Sequence, residues 1–264
     1  MAKYGLVRRR KVCELVKQFV PSGHRVLEVS CGKGEILKSL QDEGYAVQGT
    51  NYTKYPDCPD SIPVDTGVDI LRGLPYESGI YDCVILSDVI EHLSDHAAAV
   101  KEICRVAKNG GHVIVVTPNM MKINSRINFL LTGFFKVNKA FIGFDVPLDR
   151  SFGFHLYPAH LPTFLYQLRA NNVEAVFIDA VGYKMKSYMQ WLMLIPFILP
   201  ATYIKTHVLE KYLRGSTSSR LLFKSLVSFK TLCGESWVVV GRKREVEVVE
   251  QQVDTHLPSW SEKF

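Results

Sequence analysis

Between Arg25 and Val116, short apolar runs alternate with segments of helical period, and this alternation limits what the chain can fold into. Arg25-Val-Leu-Glu-Val-Ser reads as a short buried strand and Tyr45-Ala-Val-Gln-Gly as a second. Tyr81-Asp-Cys-Val-Ile-Leu and Gly110-Gly-His-Val-Ile-Val-Val read as the fourth and fifth. A weak third strand is expected near Ile62–Val64, inside a proline-bearing loop. A basic amphipathic helix is expected over 1–23, another over 35–43, and helical structure within 89–106. Strands separated by helices of ten or so residues cannot pair as hairpins, so they form a parallel sheet covered on both faces. Beyond Thr117 the rhythm changes. Residues 118–160 read as irregular, aromatic and partly basic; then follow a helix over 162–171, a sixth strand over 173–178 and a seventh over 236–241.

Composition narrows the class. With 264 residues, 47% hydrophobic and 22% charged, the chain is neither disordered nor fibrous. A chain of this length buries about 75% of its unfolded surface, enough for one sizeable core. The six cysteines show no Cys-x-x-Cys spacing, so no zinc framework is expected, and they read as small buried hydrophobes of a reducing compartment. The opening MAKYGLVRRRKV lacks an apolar core segment, so a cytoplasmic location is expected.

The segment Val26-Leu-Glu-Val-Ser-Cys-Gly-Lys-Gly-Glu carries the most chemistry. A strand entering a glycine turn and then a helix brings backbone N–H groups to the crevice at the strand's carboxyl end. Glycine lets a ligand lie against the backbone. Gly32-Lys-Gly34 lacks the third glycine of the dinucleotide fingerprint, since Leu37 stands there, and no Gly-Lys-Ser/Thr follows. Glu28 is a poor neighbour for a pyrophosphate and suits a ligand bearing an ammonium group.

With these motifs in order, the chain resembles the class I S-adenosylmethionine (SAM)-dependent methyltransferases. VLEVSCGKG matches the cofactor turn, through Glu28, Ser30, Cys31, Gly32 and Gly34. Asn51, followed by Tyr52, matches the ribose position; Asp69, followed by Ile70, matches the residue that reads the adenine amino group. YDCVILSDVIEHL places Ser87 and Asp88 at the ligand-lining end of the fourth strand, and VAKNGGHVIVVTPN matches the fifth-strand region. Two positions depart from the family. Ser30 replaces the usual first glycine, and Asn51 replaces a carboxylate whose hydrogen bonds to the ribose hydroxyls are worth about 1–3 kcal/mol. The resemblance implies an α/β, doubly wound, seven-stranded Rossmann-like sheet with its last strand antiparallel.

The sulfonium cofactor supplies an activated methyl group, so the protein's task is to align donor and acceptor and to remove a proton from a hydroxyl acceptor. His155, in SFGFHLYPAHLP, is the first candidate base; His92, in the EHL motif, and His160 are the others. The tetrapeptide used for planar nitrogens is absent and no metal ligands stand out, which favours oxygen as the target.

Residues 183–234 form an apolar, basic helical insertion between strands six and seven, separating a core of 1–182 from a last strand at 235–244 and a polar tail at 245–264. SYMQWLMLIPFILPATYI carries no charge, yet Pro196 and Pro200 should break a spanning helix. Tyr188, Trp191 and Tyr203 with flanking lysines suit an interfacial segment. Over 184–244, eleven basic residues stand against Glu210 and Glu235, whereas the whole chain carries +6. An anionic membrane is therefore an expected peripheral partner, on the inner face. TPNMMKINSRINFLLTGFF resembles methyltransferases of bacterial polysaccharide and lipid-linked glycan assembly, so the expected acceptor is a glycan or lipid-linked saccharide hydroxyl. The alternatives are a small-molecule O-methyltransferase whose insertion is a lid, and a non-catalytic SAM-binding protein. Nucleic acid is disfavoured because the apolar partners of the basic residues are aliphatic rather than stacking surfaces.

Overall fold

Helices on both faces bury the central strands completely, which is why their sequences read as continuous apolar runs. The strands are β1 (Arg25–Val29), β2 (Ala46–Asn51), β3 (Val64–Thr66), β4 (Tyr81–Ser87), β5 (Ala107–Pro118), β6 (Val173–Tyr183) and β7 (Gly234–Lys243). In this computed structural model, which describes residues 2–137, 153–209 and 217–245, they form one sheet ordered β3-β2-β1-β4-β5-β7-β6. Only β7 runs against its neighbours, pairing antiparallel with both β5 and β6. The expected seven-stranded Rossmann-like sheet with a reversed last strand is the observed one.

Alternation along β4 feeds two cores. Val84 and Leu86 join Val100, Ile103, Phe164 and Leu168 beneath α3 (His96–Val106) and α5 (Leu161–Ala170). Cys83 and Ile85 face the other way, toward Leu15, Val16, Ile36 and Leu40 of α1 (Ala2–Phe19) and α2 (Glu35–Asp42). Asp95 caps α3 by accepting from the Ala98 amide at 2.9 Å, satisfying one of the helix's unpaired donors. Because strand order reverses between β1 and β4, a crevice opens beyond their carboxyl ends, where ligands of open α/β sheets lie.

Two expectations fail. Residues 118–160 are not irregular throughout, since Ile123–Thr132 forms α4, closed by Gly133 at φ 74°. Pro196 and Pro200 do not break the insertion: α6 runs unbroken from Met185 to Tyr203 and continues as a π-helical turn over Ile204–Leu209. Both prolines are exposed, so the carbonyls they leave without an in-helix donor can face solvent. α7 (Thr217–Val227) and α8 (Phe229–Cys233) return the chain to β7. The expected tail beyond Glu245 lies outside the described residues, as do 138–152 and 210–216.

Candidate functional site

The turn after β1 has an unusual backbone. Ser30, Gly32 and Gly34 all take positive φ, at 56°, 57° and 69°. At Gly32 a Cβ would project into open space, whereas at Gly34 it would lie 3.1 Å from Cys58 Sγ. Gly32 therefore keeps a surface bare for a ligand, and Gly34 permits close packing at the start of α2. Cys31 donates its amide to the Thr50 carbonyl at 2.9 Å and is a buried core residue. Burial pushes its thiol up to about 12, so it is no nucleophile.

Asn51, at the end of β2, is buried and clamps this turn. Its Oδ1 accepts from the Gly32 amide at 2.8 Å, and its Nδ2 donates to the Gly32 carbonyl at 2.9 Å. The side chain assigned to the ribose is thus committed to the turn. Beyond it, Tyr52, Gly67, Val68, Asp69 and Arg72 line a cavity of about 500 Å³. Asp69 caps the 3-10 turn that follows it, accepting from the Leu71 amide at 3.0 Å, and still lines the cavity. Ile70 differs: its side chain belongs to the core and it is not part of the cavity lining.

Glu28 lies beneath the turn, buried, and its Oε2 has no hydrogen-bond partner. Burial, reinforced by the charge of Glu35, raises its carboxyl to about 8. An orphaned acid beside a bared glycine turn fits an aminoacyl ammonium group, and the adjoining cavity fits a nucleoside.

A second cavity, of about 590 Å³, opens on the far side of β4 and is lined by Arg8, Asp88, Glu91, Lys122, His155 and Glu235, among others. Asp88 takes φ 56°, and its Oδ2 lies 3.1 Å from Arg8 Nε, so α1 reaches across the crevice. Burial raises the Asp88 carboxyl, with Arg8 opposing. Ser87, one residue earlier, ends β4.

Glu91 is almost wholly buried. Its Oε2 accepts from Thr117 Oγ1 at 2.8 Å, while Oε1 lies 4.0 Å from His155 Nε2. Burial, then the charge of Asp88, lifts the Glu91 carboxyl to about 8. The His92 ring meets the His155 ring edge-on at 4.9 Å. His92 Nδ1 lies 2.9 Å from the Phe154 carbonyl, to which it must donate. That bond anchors the loop carrying His155. One ligating atom from each of Glu91, His92 and His155 lies within 4.8 Å of the other two, so this trio could gather around a divalent cation, although the sequence suggested no metal ligand. His160 stands apart from the cavity lining: it precedes α5 and shares a 2.9 Å hydrogen bond with Thr163. The sequence reading missed Glu91, Arg8, Lys122 and Glu235 as site residues; only the Glu-His pair after a strand hinted at the first.

Residues 4–160 match the family model described as "Methyltransferase domain". The chain belongs to that family. SAM is its cofactor, and the fold and turn geometry agree with this. A ubiquinone biosynthesis O-methyltransferase of Vibrio parahaemolyticus is 29% identical over 105 residues, 37% of this chain and 45% of the relative. A probable SAM-dependent methyltransferase of Mycolicibacterium smegmatis is 35% identical over 107 residues, 37% of this chain and 39% of the relative. The matched region thus spans less than half the length of these relatives. Among solved structures, a SAM-dependent methyltransferase from Archaeoglobus fulgidus superposes with a TM-score of 0.52 at 17% identity, covering 89% of this methyltransferase and 94% of that chain, a likeness of fold alone. The expected likeness to enzymes of glycan assembly has no counterpart among these relatives.

Proposed function

We propose that this methyltransferase transfers the SAM methyl group to a hydroxyl oxygen of a small organic acceptor held in the second cavity. The observation that carries the reading is the buried Glu91 beside His155 on that cavity's wall. With SAM bound, His155 would be the general base, holding the hydroxyl proton while the methyl carbon exchanges its bond to sulfur for one to the acceptor oxygen and the sulfur leaves as a neutral thioether. Glu91 is a positioning residue: fixed by Thr117, it stands 4.0 Å from the imidazole and limits where the ring can lie. His92 holds the loop in place. The turn through Gly32, with Glu28 beneath it and Tyr52 and Asp69 beyond, holds the cofactor, which supplies an electrophilic methyl on sulfur. Relatives named as O-methyltransferases of ubiquinone biosynthesis support an oxygen target. A second reading, a hydroxyl on a lipid-linked saccharide, draws on the exposed apolar face of α6.

The test uses methyl-labelled SAM with catechol- and quinol-type hydroxyl compounds and with a lipid-linked glycan fraction. The expected product is a methyl ether, stable to alkali; base-labile ester or amine label overturns the oxygen assignment. His155→Ala is expected to lower kcat about 100-fold with SAM affinity within twofold of wild type. Full turnover in that variant removes His155 as base. Chelator treatment is expected to leave the rate unchanged, whereas loss restored by Mn²⁺ or Zn²⁺ would give the Glu91–His92–His155 trio to a metal instead.

A further inference from the structure

The inner side of α6 is accounted for. Trp191, Leu194, Ile195 and Ile198 pack on Ile123 and Ile127 of α4 and on Leu232 and Cys233 at the end of α8. A second stripe, Met185, Met189, Met193 and Phe197, recurs every four residues and faces outward; Met193 and Phe197 are each 72% exposed. Over Met185–Leu209 the most apolar window has mean hydropathy 1.5, and only 6% of it is buried. Next to it, on α4, Leu130 and Leu131 are 83% and 74% exposed. Scattered exposed apolar side chains are ordinary, but apolar side chains concentrated on the outer sides of two packed helices mark an interaction surface.

Charge identifies the occupant. Residues 123–137, 184–209 and 217–234 contain no Asp or Glu, but hold two, three and three Lys or Arg respectively. Acids from the core answer two of these cations: Glu235 pairs with Lys184 at 3.1 Å, and Asp179 with Lys230 at 3.0 Å. An apolar face whose own helices carry only positive charge repels a second copy of itself and attracts an anionic lipid surface. Tyr188 and Tyr203, both exposed near the ends of α6, carry amphipathic rings suited to headgroup depth.

We propose that α6 and the C-terminal half of α4 dock on an anionic phospholipid bilayer, with α6 lying along the headgroup–acyl boundary. Its inner stripe is fastened to the protein, so α6 lies on the bilayer and does not cross it. Pro196 and Pro200 agree, because they leave the Leu192 and Pro196 carbonyls without in-helix donors, which suits a hydrated depth and not the hydrocarbon. This inference holds whatever the acceptor is. Leu194 and Ile195 belong to the inner stripe, so changing them would unseat α6 and would not test the outer face.

The full-length protein is to be sedimented with vesicles of phosphatidylcholine containing 30% phosphatidylglycerol, and with pure phosphatidylcholine. Binding is expected to the anionic vesicles and to fall steeply with salt. Met189→Ser, Met193→Ser and Phe197→Ser together should abolish it, with circular dichroism and SAM affinity unchanged. Lys186→Gln and Lys205→Gln should weaken it about fivefold each. No binding to either vesicle, or undiminished binding by the triple variant, overturns the proposal. So does a stable dimer in light scattering that the triple variant dissociates, which would assign the face to a second copy.

Discussion

Asn51 shows how one atom type decides a role. An aspartate there would restore the carboxylate usual in the family, yet it could not donate to the Gly32 carbonyl 2.9 Å away. Two acceptors would face each other in a buried site, a loss of about 1–3 kcal/mol. Asn51→Asp is therefore expected to weaken SAM binding about tenfold or more by calorimetry; tighter binding would show the side chain turned to the ribose. Glu28 and Glu91 make a second residue-scale prediction. Both carboxyls are raised from the ordinary 4.5 to about 8 in the folded protein. Between those values the folded chain holds protons that the unfolded chain has lost, so stability falls as pH rises through the window. The melting temperature of the cofactor-free protein should drop from pH 5 to pH 8, and Glu28→Gln should flatten that slope. An unchanged slope would mean that Glu28 is solvated.

At the scale of elements, legibility followed contiguity. The glycine turn and the ends of β2 and β4 are legible in the sequence because each of these positions sits beside the strand that places it. The second cavity is not, because Arg8, Glu91, Lys122, His155 and Glu235 meet only once the chain has crossed over between strands. The proline rule misled over α6 because it describes helix interiors whose freed carbonyls have no water, and this helix has an exposed face. α4 escaped notice because its few buried positions, Ile123 and Ser125 among them, give too weak a helical period against a run of exposed apolar residues. The joint between α8 and β7 shows what the insertion depends on. A Cβ on Gly234 would lie 2.3 Å from Ala180 Cβ and 2.7 Å from the Lys230 carbonyl, with backbone on one side that cannot yield cheaply. Gly234→Ala should destabilise the fold by about 1–3 kcal/mol in chemical denaturation; neutrality would show β6 and β7 free to spread.

For the whole molecule, the cofactor crevice and the proposed docking face occupy separate parts of the chain. The cofactor crevice is built by β1, β2 and β4 with the segments that follow them, whereas the outward apolar face belongs to α4 and to the segment between β6 and β7. Net charge divides the same way, with the cations concentrated at the insertion. Tyr183 and Gly234, which bracket that segment, are direct cross-strand partners in the β6–β7 ladder. Topologically, residues 184–233 are thus the loop of a hairpin, however long. A loop whose two ends already touch can be lengthened, shortened or exchanged without altering the register of the sheet it leaves and rejoins. On the proposed docking, rewriting one hairpin loop would readdress the chain to another surface while the cofactor crevice is inherited intact.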